Sequence, residues 1–537
     1  MPFKVPSFSF ELLLLDISNT LYAMPFWDLK LASNAMISTP LPIAAGLVIC
    51  SFMLAQLLRR RTFIRPAIQH YQWDTSVSGS PKKRWMWDSL QLLREGYSQF
   101  YDKPWQVWTS EGDQVVLPPA SVDGLKMLPD HTLPSSLREF MLPQYTFKPF
   151  APWKLDYVNH VILHDLNKNM AKVFPGMREE VDIALSMDLP ASTDQDWTEI
   201  DISTQILRVI CRVSGRAFVG TGLHRSEEWI DISCHYTKDL FLAALKLRAV
   251  PSFLRPLLAL FLPDLRRVYR HNDRARALVQ PILQQRERDA KNVPGYNKPN
   301  DTIQWIHDFI PEEDRRDYAY QGAAQLAITA VSVQSTSKLI VNIILNLMKY
   351  AEYVPILKDE IETVQAECGG VWTLESMGRL EKLDSFMRES LRFEPPLTAT
   401  FQRRAMKPVK LSDGTDLPAG TLVLAPADAI AFDPEFYPDP KRFDGLRFYK
   451  LRQQGPKVRH QFVATSKMQV QFGLGRHACP GRWFAGHAIK LIVASVLLGY
   501  DFKFKDGEEK PKTFLFQTTN MPHPKTRILI RKKTGKV

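Results

Sequence analysis

The sequence predicts a mainly α-helical domain with a minor β-sheet, carried behind one N-terminal transmembrane helix. Three observations predict it. Apolar residues recur at helical spacing through most of the chain after Arg61, with proline-bearing breaks at Pro118-Pro119, Pro251 and Pro395-Pro396. Strand-like stretches cluster in two places only, near Val107 to Val116 and from Val409 to Leu424, the second holding an Asp413-Gly414 hairpin-type turn. An uncharged apolar run closed by arginines lies near the N-terminus.

That run, Leu41 to Leu58, reads LPIAAGLVICSFMLAQLL and is followed at once by Arg59, Arg60 and Arg61. It starts too late for an ordinary signal peptide, and its basic residues come after the apolar stretch rather than before it. With the arginines on the C-terminal side, the positive-inside rule puts the downstream chain in the cytoplasm, so a single-pass endoplasmic reticulum protein is expected. Phe8 to Phe26 is apolar but interrupted by Glu11 and Asp16, which reads as an interfacial helix. The organisation is then an N-terminal segment at 1–40, a membrane anchor at 41–58 and a cytoplasmic catalytic domain at 59–537.

Composition narrows the function classes. Hydrophobic residues at 45% and charged residues at 23% are ordinary globular values. The net charge of +12 points to anionic lipid or an acidic protein partner. Nucleic acid is not expected, because the chain has no arginine-rich tract and no paired Cys/His finger. The five cysteines, at 50, 211, 234, 368 and 479, are widely spaced with no CxxC pair, which argues against a disulfide framework and leaves each to be judged singly. Two long helices are expected in the C-terminal half, roughly Arg315 to Tyr350 and Leu374 to Phe393.

One cysteine has an unusual setting. Residues 472 to 485 read FGLGRHACPGRWFA, a glycine-rich turn ahead of an apolar helix, Trp483 to Leu498. Haem iron needs a thiolate close to the macrocycle, and Gly473, Gly475 and Gly481 let the backbone approach the ring. Backbone N–H donors and the start of the helix favour ionised sulfur at Cys479. A dinucleotide turn would need a βαβ unit, and a zinc site would lack partner cysteines.

Phe472, Gly475, His477, Cys479 and Gly481 together resemble the haem-binding signature of the cytochrome P-450 family, with histidine where the family most often has arginine. The resemblance covers nearly all of 62–537 and is strongest after Gln321. It implies the cytochrome P-450 fold, haem b (iron protoporphyrin IX) as cofactor, Cys479 as axial ligand of the iron, and Phe472 and His477 as cofactor contacts. It further implies that Glu389 and Arg392 form a buried triad with Arg442 beneath the cysteine loop, and that Arg403 binds a haem propionate. His160 and His164 fall near a tryptophan and a propionate-binding arginine of the family, and neither is assigned a role.

The family's oxygen-side helix carries Ala/Gly-Gly-x-acid-Thr-Thr, and this chain departs from it. In ITAVSVQSTSKLIVNIIL the best match puts Gln334 at the acid, Ser335 at the first alcohol and Thr336 at the second, which makes these three the candidate catalytic residues. Ser335 and Thr336 retain hydroxyls for proton delivery, whereas Gln334 does not titrate. The bland alternative is that Ser335 bonds back to a helix carbonyl.

The helix, the FGLGRHACPGRWFA string and the FYKLR string look most like the fungal ent-kaurene-oxidase-like branch, which implies a terpenoid or related secondary metabolite as substrate. Implied partners are NADPH-cytochrome P-450 reductase, cytochrome b5 as a second electron donor, an apolar small molecule and the membrane. The rival expectations are a P-450-fold desaturase or isomerase and a non-enzymatic membrane haem-binding protein.

Overall fold

Side-chain caps mark where several helices begin. The computed structural model describes residues 68–72, 81–147, 154–190 and 196–533, so the expected anchor at 41–58 and the Phe8 to Phe26 segment lie outside the described residues. The helices used below are α1 (Pro81–Phe100), α2 (Leu155–His160), α3 (Met170–Asp188), α4 (Ile202–Phe218), α5 (Glu227–Ala249), α6 (Arg255–Phe261), α7 (Pro263–Asn292), α8 (Tyr318–Lys349), α9 (Leu374–Arg379), α10 (Glu381–Phe393), α11 (Arg447–Gln454) and α12 (Arg482–Gly499). Asp201 accepts from Thr204 N to open α4, Ser226 from Trp229 N to open α5, and Asp317 from Tyr320 N to open α8.

The strands are few and short. β1 (Trp105–Thr109) and β2 (Gly112–Val116) form a hairpin, followed by β3 (Thr198–Asp201), β4 (Thr400–Arg404), β5 (Val409–Lys410), β6 (Asp416–Leu417), β7 (Leu422–Ala425), β8 (Tyr500–Lys503), β9 (Phe514–Phe516), β10 (Thr519–Met521) and β11 (Arg527–Lys532). The largest sheet has the order β1-β2-β7-β4, with β2 parallel to β7 and β4 antiparallel to it. In β5-β6 the expected turn is present, with Gly414 at φ +88° and Thr415 N donating to Asp413 Oδ1 at 2.9 Å.

Helix α8, 32 residues long, is the spine of the helical part and packs against α4, α5, α7, α10 and α12. Both α8 and α12 are long and apolar enough to cross a membrane, but most of each is buried in the protein, so burial against other helices accounts for their composition. At Gly322 the α7 backbone comes so close that a Cβ would sit 2.6 Å from Arg276 N.

One expected element divides. The run from Leu374 to Phe393 is two helices, because the chain leaves helical geometry at Leu380, where ψ is 69°. The buried Glu360 carboxylate accepts from Lys382 N at 2.7 Å and Leu383 N at 2.9 Å and so caps the second helix from outside. Gly322→Ala is expected to cost about 1–3 kcal/mol through overpacking of α7 on α8, read as a lowered unfolding midpoint in denaturant.

Candidate active site

The cysteine loop is a turn built from its own backbone. Cys479 N donates to Phe472 O at 2.7 Å, Ala478 N to Gly475 O at 3.0 Å and Gly473 N to Val470 O at 2.8 Å. Gly473 and Gly475 sit at φ +72° and +68°, and at Gly475 a Cβ would lie 2.2 Å from Lys126 O. Gly481 is different: its φ is −88° and it stands at the N-cap of α12, with Ile162 as the nearest atom to an added Cβ at 3.9 Å. The turn is held from outside by Asn167 Nδ2 on Pro480 O at 3.0 Å and Arg476 N on Lys126 O at 3.0 Å.

Burial pushes the Cys479 thiol above its ordinary range, while the Gly481 and Arg482 backbone N–H groups and the Arg482 charge pull the other way. Burial wins. The Gly481 and Arg482 N–H groups are the donors the turn and the helix start offer the sulfur. Phe472 packs edge-on against Phe462, ring centroids 5.4 Å apart.

Arg403 lies on β4, where the pairing register shifts between Thr400 and Arg403 and Phe401 takes φ +51°. A bulge of this kind re-aims side chains, and the Arg403 guanidinium lies over the Phe401 ring at 4.7 Å. It is 5% exposed and makes no ion pair among the described residues, donating only to Gln402 O at 2.9 Å. Burial lowers it to about 10. His477 is held below the ordinary histidine range by burial and by the Arg403 charge, and its Nε2 lies 2.8 Å from the exposed carboxylate of Asp130. A buried guanidinium without a carboxylate, beside a histidine, is the donor set an acidic cofactor edge requires. With a lone cysteine on a backbone turn, these residues fit haem as a cofactor, with Cys479 as the residue that would hold the iron and Arg403 and His477 as the ones that would hold an acidic edge.

Glu389 and Arg392 do form a buried bidentate pair, at 2.8 and 2.7 Å, with Glu389 fully buried. Its third member needs correcting. Arg442 is exposed, and it is Arg447 Nε that reaches Glu389 Oε1, at 3.2 Å. The Asp444 N–H joins the same oxygen at 3.0 Å. The chain carries two Arg-Phe dipeptides five residues apart, Arg442-Phe443 and Arg447-Phe448, and the first was the wrong one. Arg442 contributes its carbonyl, which accepts from Arg447 Nη2 at 3.0 Å.

The same face of α10 carries a second network that the sequence reading missed. Asp384 pairs with Arg452 and with Lys490 Nζ at 2.9 Å, and accepts from Phe462 N at 2.8 Å. Arg388 donates to Arg459 O at 2.9 Å and Gln461 O at 3.1 Å. Ser385 Oγ accepts from Phe448 N and Tyr449 N, capping α11 from another helix. The available signal was Asp384, Arg388 and Arg392 at intervals of four in a strongly amphipathic helix, although surface charge has the same period.

On α8 the three expected residues do not converge. The helix is buried on both sides of its middle, yet Val331 is 68% exposed and Ser335 is exposed one turn on, so an opening faces that stretch. Ser335 is at the opening and its Oγ donates back to Val331 O at 3.2 Å. Gln334 turns to α5, donating to Cys234 O at 3.2 Å, and Thr336 is buried in the packing. His160 stacks on Phe309 with ring centroids 4.0 Å apart and lies 4.4 Å from the His164 ring.

Comparison with known proteins shows the family. The family model described as Cytochrome P450 matches residues 157–530. The chain is 34% identical over 492 residues to "Cytochrome P450 monooxygenase olcJ" of Penicillium canescens, covering 89% of this chain and 90% of the relative. It is 34% identical to "Cytochrome P450 monooxygenase BOA4" of Botryotinia fuckeliana (95% and 99% covered) and 29% identical to "Ent-kaurene oxidase P450-4" of Gibberella fujikuroi (92% and 97%).

Arg447→Ala removes a hydrogen bond to a buried carboxylate and is expected to cost at least about 2 kcal/mol, whereas Arg442→Ala should stay within about 0.5 kcal/mol. Equilibrium denaturation of the two variants beside the parent decides between the two arginines.

Proposed function

Because the chain belongs to the cytochrome P450 family, whose cofactor is haem and whose members incorporate oxygen from dioxygen, we propose that it oxidises an apolar small molecule, a terpenoid or related secondary metabolite, at a membrane surface. The observation that carries the reading is Cys479 on its backbone turn, with the Arg403 guanidinium as a buried cation and the His477 ring beside it. Electrons come from NADPH through a separate reductase, with cytochrome b5 as a second donor. Exposed Arg476 offers the reductase a basic contact, while Arg482 is folded back onto Cys479 O at 2.8 Å.

Haem, which Cys479 would hold through its sulfur, would supply the oxygen-activating chemistry when bound. The protein's part is to hold and exclude. Arg403 and His477 would fix the propionate edge, the α10 networks hold the cysteine loop in register, and Ser335 presents a hydroxyl at the opening on α8. Gln334 is bound to α5 through the hydrogen bond it donates to Cys234 O, and its amide does not titrate.

Support for the terpenoid class comes from relatives named ent-kaurene oxidase, at 29–30% identity over 501 residues. Support for a membrane setting comes from the anchor-like run at 41–58 and from α6. Around that short helix Leu257 is 59%, Leu260 66% and Phe261 64% exposed, with Phe253 and Leu254 also exposed, which makes an apolar patch of the kind that contacts lipid. The arginines after Leu58 support a cytoplasmic domain, and with it an endoplasmic reticulum setting for the chain.

A desaturase or isomerase reading draws on Gln334 in place of the acid, and product mass separates the three: one oxygen gained, two hydrogens lost, or no change. The reduced protein under carbon monoxide is expected to show a thiolate-type band that Cys479→Ala abolishes. Haem bound without that band in the parent chain would overturn the monooxygenase reading.

A further inference from the structure

Four polar side chains follow one another on one face of α8, Gln334, Lys338, Asn342 and Asn346, at intervals of four that advance only about 40° around the helix per step. From Leu339 to Leu347 the other residues of the helix are apolar and buried. Asn342 and Asn346 are each 1% exposed, yet neither amide atom of Asn342, nor Nδ2 of Asn346, has a hydrogen-bond partner. Lys338 has no ion pair or hydrogen bond among the described residues, and burial holds its ammonium below the ordinary lysine range.

The stripe has two defined ends. At one, Gln334 is tied to Cys234 O and Ser335 stands beside it at the opening. At the other, Lys510 Nζ donates to Asn346 Oδ1 at 2.6 Å and pairs with Glu394, whose side chain is 18% exposed. Buried amides and ammonium groups that lack protein partners are satisfied by ordered water. Successive i,i+4 side chains start about 6 Å apart, a gap that one water bridges.

We propose that this face of α8 is a hydrated proton path from the Lys510–Glu394 pair to the distal opening, with Lys338 as its relay in place of the carboxylate that Gln334 replaces. The proposal rests on the monooxygenase reading. The step is proton transfer alone: Lys338 gives a proton toward Ser335 and the water around it, and takes one back from water held by Asn342. Each proton that leaves the path inward is replaced from solvent at Glu394. Full reduction of dioxygen to water uses four protons and four electrons, and the electrons come from the reductase.

The test needs no identified substrate, because dioxygen itself is the probe. The full chain loaded with haem is paired with a microsomal NADPH reductase, and NADPH oxidation is followed with the share of electrons recovered as hydrogen peroxide. Asn342→Leu and, separately, Lys338→Gln are expected to keep the carbon monoxide band while slowing NADPH oxidation roughly tenfold, less than the loss of a direct general acid. The peroxide share should rise and the rate ratio between H2O and D2O should change with it. A crystal structure of the parent should show water on Asn342 and Lys338 that is missing from Asn342→Leu. Unchanged rates, peroxide share and isotope ratio in whichever variant folds, or a dry Asn342 in the parent, would overturn the path; absence of the band from the parent would instead overturn the reading on which it rests.

Discussion

The rest of the site depends on the buried charge lattice of α10. This helix presents Asp384, Arg388, Glu389 and Arg392 to the segment that runs from Ala431 to Gln469, and each is engaged on its own stretch of that segment. Arg392 donates to Ala431 O at 2.7 Å and Pro440 O at 3.0 Å, while Glu389 gathers Arg392, Arg447 and the Asp444 N–H. Outside α11 this connection is largely irregular and has no ladder of its own to satisfy its carbonyls. Charged side chains from one helix do so here, and because bonds to ionised groups are short and directional, they fix the path that leads into the cysteine loop.

Such a lattice is a demanding way to hold a loop. Isolated buried charges are costly, and a pair of this kind stabilises little against a well-packed apolar core. Its value lies in definition of position: Asp384 reaches α11 through Arg452, the loop through Phe462 N, and α12 through Lys490, so three elements share one carboxylate. Phe462 then packs on Phe472 at the head of the turn, which ties Cys479 to α10 without a direct contact between them.

On the other side of the site, α8 combines a fully packed spine with an interrupted middle. Val331 and Ser335 face an opening, and Gln334 is diverted to Cys234. The side chains of Cys234 and Cys211 lie 3.7 Å apart as free thiols between α5 and α4, so the Gln334 carbonyl acceptor belongs to a tightly packed junction. The departure from the family's acid is thus a change of partner: an amide serves where a hydrogen bond to a carbonyl is needed, and a carboxylate would be repelled.

Much was legible in the sequence because it was written in local rules. Helical periodicity and proline breaks gave the mainly helical domain, the Asp413-Gly414 turn gave the small hairpin, and the Phe472 to Ala485 string gave Cys479, since positive-φ glycines and a following helix are properties of a few adjacent residues. What only the tertiary structure decided depends on partners far away in the chain. Arg442 and Arg447 are locally alike, each followed by phenylalanine, and the choice between them is made by which one meets Glu389 across more than fifty residues. The break at Leu380 is set by a carboxylate from Glu360, and the isolation of Arg403 by a bulge in β4. Adjacent residues fix backbone conformation through sterics and hydrogen bonding, but whether a charge finds a partner, a cofactor or water is settled only when distant segments pack and exclude solvent.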